Sequence, residues 1–146
     1  MKEYRFYGWK SAEDVLASDY CGVAITPIQL YDLLSEIWCE KTCAPRLRNQ
    51  WSPLNKTLGQ CSITAFLVQD IFGGEVYGIE REGGNFHCYN VVGTCCFDLT
   101  SEQFGDEILA YENNPIQTRA VHFAKKEKLI RYEYLKQELK QKLGDR

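Results

Sequence analysis

Apolar residues first recur at helical spacing after a threonine–proline pair near the end of the first quarter of the chain. Thr26 is a typical helix N-cap, Pro27 suits the first helical position, and Gln29 completes a capping box. The apolar residues that follow are three or four positions apart, as on one face of a helix. They are Leu30, Leu33, Leu34, Ile37 and Trp38. The pattern predicts a helix with one buried face.

A second helix is predicted over residues 59–74, GQCSITAFLVQDIFGG. Its apolar residues are Ile63, Ala65, Phe66, Leu67, Val68, Ile71 and Phe72. They cover more than one face, which is typical of a central helix packed on several sides. Gly73 is a natural end for it. Residues 41–58 hold two prolines and no clean period, so we expect an ordered loop there.

Three short runs with strand character come next, EVYGIE, NFHCYNVV and TCCFDLT. Glycines separate them, so an antiparallel meander is the simplest connection. Thr100 then resembles another helix cap, with Gln103 three residues later.

One long helix is predicted over residues 118–143. Its apolar stripe consists of Leu129, Tyr132, Leu135, Leu139 and Leu143. The resulting order predicts an α+β fold, with a central helix packed on a small antiparallel sheet and a long C-terminal helix. A length of 146 residues is typical of one domain, so we expect residues 1–146 to share one core.

The amino-acid composition and net charge reduce the number of function classes that need to be considered. Apolar residues make up 45% and charged residues 25%, and the net charge of -3 gives no electrostatic reason to expect nucleic acid or an anionic membrane as partner. We find no signal peptide and no apolar run of about 20 residues, so a cytoplasmic location is expected. In that compartment the seven cysteines are expected to be thiols. No zinc or nucleotide motif occurs, so neither a metal nor another cofactor is expected.

Cys61, His87 and Asp98 form the candidate chemical site. Cys61 lies at the start of the predicted central helix, where the helix dipole favours a thiolate. His87 lies in the second strand, and a hairpin that turns at Val92-Gly93 places it directly opposite Asp98 in the third. A thiol, a base and an orienting carboxylate are the parts that cysteine nucleophiles use.

Structural roles explain the same residues one by one. A buried cysteine is more often inert, a strand histidine is often structural, and Asp98 can help to start the next helix. The remaining cysteines are expected to be packing thiols without a metal: Cys21, Cys39, Cys43, Cys88, Cys95 and Cys96.

The segments GQCSITA, HCYN and FDLT occur in the order typical of the transglutaminase-like branch of the papain-like superfamily. More closely, WSPLNKTLGQCSITAFLVQDIFGGEV and FDLTSEQF resemble the small bacterial YunG-like proteins, which are uncharacterised. The resemblance implies that Cys61 is the nucleophile, His87 the general base and acid, and Asp98 the orienting carboxylate. Gln60 and Asn55 are candidate oxyanion or pocket residues, although Gln60 can simply cap the helix and Asn55 can set a turn. The backbone N–H of Cys61 is a further oxyanion donor.

The resulting hypothesis is a thiol-dependent amide hydrolase or acyl transferase that acts on an unidentified amide- or acyl-bearing substrate. One alternative is a non-catalytic binding protein with the same fold and a polar pocket. Another is a small assembly protein whose tail helix forms a dimer interface. We expect a monomer or a weak homodimer.

Overall fold

A computed structural model describes residues 4–144, and five helices and five strands position the site within them. The helices are α1 (Trp9–Ala12), α2 (Pro27–Ser35), α3 (Cys61–Phe72), α4 (Arg119–Phe123) and α5 (Lys126–Gly144). The strands are β1 (Ser18–Tyr20), β2 (Val23–Ile25), β3 (Glu75–Glu80), β4 (Phe86–Val92) and β5 (Cys95–Phe97). Short 3₁₀ helices cover Pro45–Gln50, Glu82–Gly84 and Ser101–Phe104.

The strands form two small antiparallel sheets. One is the β1–β2 hairpin, and the other is a meander in the order β3-β4-β5. With the helices, these sheets give the mixed α+β architecture that the sequence predicts. Within residues 4–144, no helix is long and apolar enough to cross a bilayer.

Helix α2 begins as its sequence predicts. The Thr26 hydroxyl accepts a hydrogen bond from the Gln29 N–H at 3.2 Å, and the Gln29 side chain accepts one from the Thr26 N–H at 2.9 Å. Pro27 occupies the first turn. The helix ends at Ser35, yet Ile37 and Trp38 remain buried, so the apolar pattern continues past the helical backbone.

Helix α3 is the centre of the core. Its buried apolar residues are Ile63, Ala65, Phe66, Leu67, Val68 and Ile71. They pack against the meander on one side and α5 on another. Gly73 ends the helix with φ 80°, a conformation that favours glycine. The prediction of a central helix packed on several sides is confirmed.

The C-terminal segment differs from the single helix predicted. The chain bends at residues 124–125, between α4 and α5, so that His122 and Phe123 both contact Phe66 of α3 with ring centroids 5.3 Å apart. The packing of these two rings on α3 is therefore favoured over a single continuous C-terminal helix. Beyond the bend, α5 buries four of the five predicted stripe residues: Tyr132, Leu135, Leu139 and Leu143. The fifth, Leu129, is 37% exposed.

Thr100 also departs from its prediction. The segment after it is a short 3₁₀ helix without a side-chain cap. The Thr100 hydroxyl instead donates to the Asp98 carboxylate at 3.2 Å.

Candidate functional site

The hairpin between β4 and β5 sets the positions of two of the three predicted site residues. Gly93 and Thr94 form its two-residue turn, and Gly93 takes φ 62° at the first turn position. Asn90 consequently pairs with Phe97, whereas the predicted turn at Val92-Gly93 paired it with Cys95. The predicted register is therefore wrong by two residues.

The shift of two residues keeps both side chains on one face, because side chains alternate along a strand. His87 and Asp98 are thus diagonal neighbours rather than directly opposed. The His87 Nε2 atom lies 2.6 Å from Asp98 Oδ2, and the two residues are 3% and 1% exposed. The predicted imidazole–carboxylate contact is present.

Four hydrogen bonds hold the Asp98 carboxylate. Oδ2 contacts His87 and also accepts from the Tyr111 hydroxyl at 2.7 Å. Oδ1 accepts from the Thr100 N–H at 3.0 Å and from its hydroxyl at 3.2 Å. Burial and the charge of Asp98 raise the pKa of Tyr111, which therefore remains a donor. This shell fixes the carboxylate and leaves His87 Nδ1 as the ring nitrogen available to another group.

Cys61 occupies the edge of β4 that β5 leaves uncovered. The β4–β5 pairing extends only from Asn90 to Val92, so the Phe86 end of β4 has free backbone groups on that side. The Cys61 sulfur lies 3.7 Å from the Phe86 carbonyl oxygen. The same sulfur accepts a hydrogen bond from the Cys88 N–H. Cys61 as a whole residue is partly exposed. Helix α3 thus presents its first residue at the strand end that carries His87.

The surroundings of Cys61 favour its thiolate. A hydrogen bond with the Cys88 thiol is the strongest of the influences that hold the pKa of Cys61 well below its ordinary value. Burial opposes this shift, whereas the hydrogen bond and charge of His87 add to it. For His87, burial lowers the pKa, but Asp98 and then Cys61 outweigh burial and raise it to about 10. The site therefore stabilises a thiolate–imidazolium pair.

Cys88 is a site residue, although the sequence alone predicts only a packing thiol at this position. Its side chain is 1% exposed, and the bond with Cys61, followed by burial, raises its pKa well above the ordinary value. Cys88 thus stays protonated and donates to the Cys61 sulfur. The position of Cys88 next to His87 in a strand does not predict a hydrogen bond to Cys61, because adjacent strand residues point to opposite faces.

The two candidate oxyanion residues lie in different surroundings. Gln60 is fully buried, and its Nε2 donates to the Cys39 carbonyl oxygen at 3.2 Å, which ties α3 to the preceding loop. Asn55 is partly buried, and its backbone N–H closes a turn onto Ser52 at 2.9 Å. No side chain caps the N-terminus of α3, so the N–H groups of its first turn remain available near the sulfur.

All seven cysteines are free thiols, and residues 4–144 contain no group of three or more potential side-chain ligands that would hold a metal ion. Two clefts, of about 470 and 490 Å³, lie away from Cys61. The first is formed by β1, α3 and α5 around Arg119, and the second by α2 around Tyr31.

These features define an α+β protein with a Cys–His–Asp cluster at the edge of a three-stranded sheet. The sequence model of the YunG protein family matches residues 26–144, and the chain belongs to this family. The uncharacterized protein YunG of Bacillus subtilis (strain 168) is 38% identical over 56 residues, which cover 38% of this chain and 48% of that relative. The chain thus spans about half the length of the curated relative it matches. No solved structure matches the chain.

Proposed function

We propose that the protein is a thiol-dependent amide hydrolase or acyl transferase with Cys61 as nucleophile, His87 as general base and acid, and Asp98 as the carboxylate that orients His87. The observation that carries the proposal is the contact of 2.6 Å between Asp98 and His87 Nε2. The influence of His87, which lowers the pKa of Cys61, supports the assignment of Cys61 as the third member. A thiolate at neutral pH is the reactive form that such chemistry needs.

In the proposed reaction, the Cys61 thiolate attacks the carbonyl carbon of an amide and forms a C–S bond while the carbonyl electrons move to oxygen. The free N–H groups at the start of α3, that of Cys61 included, stabilise this oxyanion. When the intermediate collapses, the C–N bond breaks and the His87 imidazolium gives its proton to the leaving amine. Water or a second amine then attacks the thioester, His87 takes its proton, and the thiolate is released.

We extend the proposal to the superfamily. A nucleophilic cysteine at the start of a helix, followed along the chain by a strand histidine and an aspartate, has the order of the transglutaminase-like branch of the papain-like superfamily. In this chain the aspartate follows a three-residue strand, and a tyrosine and a threonine hold it in place. Those supports give the imidazole one orientation, which is what a base for a thiol requires.

Alkylation with iodoacetamide tests the proposal. We expect Cys61 to be modified first of the seven thiols near pH 7, with a rate that titrates below the ordinary thiol pKa of about 8.5. His87→Ala should slow this modification, whereas Cys95→Ala, which removes another partly exposed thiol, should leave it unchanged. Site-resolved mass spectrometry measures both. A Cys61 no faster than the other thiols, and indifferent to His87→Ala, would support a non-catalytic binding protein instead.

A further inference from the structure

The Phe104 ring covers the imidazole of His87. Their ring centroids lie 4.6 Å apart, and the ring planes meet at 90° in an edge-to-face contact. His87 is 3% exposed and lines neither of the two clefts described above, whereas Phe104 is partly exposed. The Phe104 ring therefore separates the imidazole from solvent on this side, and a molecule that approaches His87 from there has to displace it.

The Arg81 guanidinium holds both ends of the turn that carries Phe104. The Glu107 N–H donates to the Phe104 carbonyl oxygen at 3.1 Å and closes this turn. The guanidinium lies over the Phe104 ring, 4.8 Å from its centroid, and donates to the Glu107 carboxylate at 2.9 and 3.2 Å. Arg81 itself is held just after β3, where its backbone N–H donates to the Asn85 carbonyl oxygen at 2.7 Å. The Arg81 side chain thus fastens the turn to the meander.

Residues 104–109, called the lid below, lie between two attached points of the chain. Before the lid, the Tyr31 hydroxyl donates to the Glu102 carboxylate. After the lid, the Asn114 side chain donates to the Ala110 carbonyl oxygen at 2.9 Å. The segment between these points can move without a change in the meander.

The contacts that close the lid are accessible to solvent. The side chains of Arg81 and Glu107 are 35% and 49% exposed. Ile108 is 95% exposed, so the lid buries little apolar surface at this position. Ion pairs and cation–π contacts at exposed positions contribute little free energy, and segments with few buried contacts open locally. Opening of the lid is therefore compatible with a stable core.

We propose that residues 104–109 are a lid over His87, that the Arg81–Glu107 pair is its latch, and that a substrate reaches the imidazole when the latch opens. This role in substrate entry rests on the thiol chemistry proposed above, in which His87 exchanges protons with the substrate. Tyr111, which donates to Asp98, lies outside the lid, so the carboxylate keeps this support while the lid is open. The alternative is that Phe104 is a permanent part of the core and that the surface pair does not influence access to His87.

Deuterium exchange at the C2 carbon of the histidine rings, read by mass spectrometry, measures access to His87. This hydrogen is replaced only while solvent reaches the ring, so its rate follows the population of the open lid. Arg81→Gln and Glu107→Gln both remove the latch, and each should speed exchange at His87 by roughly two- to tenfold. The two variants change the net charge in opposite directions, so acceleration in both cannot come from an electrostatic effect on the titration of His87.

His122 is the internal reference, because it lies on α4 and its ring packs on Phe66. The quantity compared is the ratio of the His87 rate to the His122 rate. Phe104→Ala, which removes the cover itself, should give the largest increase in this ratio. Asp106→Asn makes the same charge change as Glu107→Gln at the neighbouring exposed residue and should leave the ratio unchanged.

An unchanged ratio in both latch variants would overturn the lid. Equal acceleration at both histidines would also overturn it, because that result reports unfolding of the whole core. A raised ratio together with a Cys61 that is alkylated no faster than the other thiols would uphold the lid and overturn the thiol chemistry.

Discussion

Replacement of the Cys61 sulfur should change how folding stability depends on pH. In the native protein, His87 and Cys61 titrate in opposite directions on folding. The raised pKa of His87 adds stability that is full below the unfolded value of 6.5 and is lost as the pH rises toward about 10. The depressed pKa of Cys61 adds stability that is full above the unfolded thiol value of about 8.5 and is lost as the pH falls through the folded value.

Between pH 6.5 and about 8.5, the pH dependence that His87 gives to the unfolding free energy cancels the pH dependence that Cys61 gives to it. The unfolded pair carries one proton on the thiol, and the folded pair carries one proton on the imidazole, so folding neither binds nor releases a proton. Cys61→Ser removes the thiolate but leaves Asp98, the main group that raises the His87 pKa. Folding of the variant then binds a proton. Its unfolding free energy should fall by roughly 1 kcal/mol between pH 7 and pH 8, relative to the native protein.

Urea unfolding at several pH values between 7 and 8 measures this difference. All other titrating groups are common to both proteins, so the comparison isolates the pair. Cys95→Ser is the matched control and should follow the native protein, because Cys95 belongs to β5 and not to the site. Parallel pH profiles for the native protein and Cys61→Ser would refute a thiolate–imidazolium pair.

Three further substitutions test the supports of the site. Asp98→Asn should lower the unfolding free energy by about 1–3 kcal/mol, because an amide nitrogen cannot accept from the donors that now meet both carboxylate oxygens. Urea unfolding measures the loss, and Asp106→Asn, at an exposed position, is the control. Gly74→Ala should lower the melting temperature more than Gly22→Ala. Both glycines have positive φ, but only at Gly74 would the new Cβ lie 2.3 Å from a carbonyl oxygen. Equal decreases in melting temperature would contradict the role of that contact. Leu135→Ala should cost about 2–5 kcal/mol in the same unfolding assay, and an effect below about 1 kcal/mol would mean that α5 does not pack on the core.

The sequence predicted the elements whose signals are local. The cap of α2, the all-round apolar pattern of α3 and the glycine punctuation of the meander each reappear in the structure. Two elements without a clear apolar pattern, and one bend that depends on a distant contact, were missed. Helix α1 and the β1–β2 hairpin lie in residues 9–25, where no clear apolar period occurs, and the bend before α5 follows from packing on Phe66.

In the candidate site too, the sequence predicts the contact within the hairpin but not the contact between separate elements. His87 and Asp98 were predicted to share a face, and they do, although the turn was misplaced by one residue. The bond between Cys61 and Cys88 was not predicted. It depends on where α3 meets the open edge of β4, and spacing along the chain carries no information on that approach.

The shortness of β5 connects the fold to the proposed chemistry. The pairing of β5 with β4 ends at Phe97, where the chain leaves β4, and Asp98 then donates its backbone N–H to the Tyr7 carbonyl oxygen at 2.9 Å. This exit has two consequences. It lets Asp98 reach His87 diagonally, and it leaves the Phe86 end of β4 open to the Cys61 sulfur. A longer β5 would cover that edge with backbone hydrogen bonds, and the nucleophile would lose its place beside the imidazole.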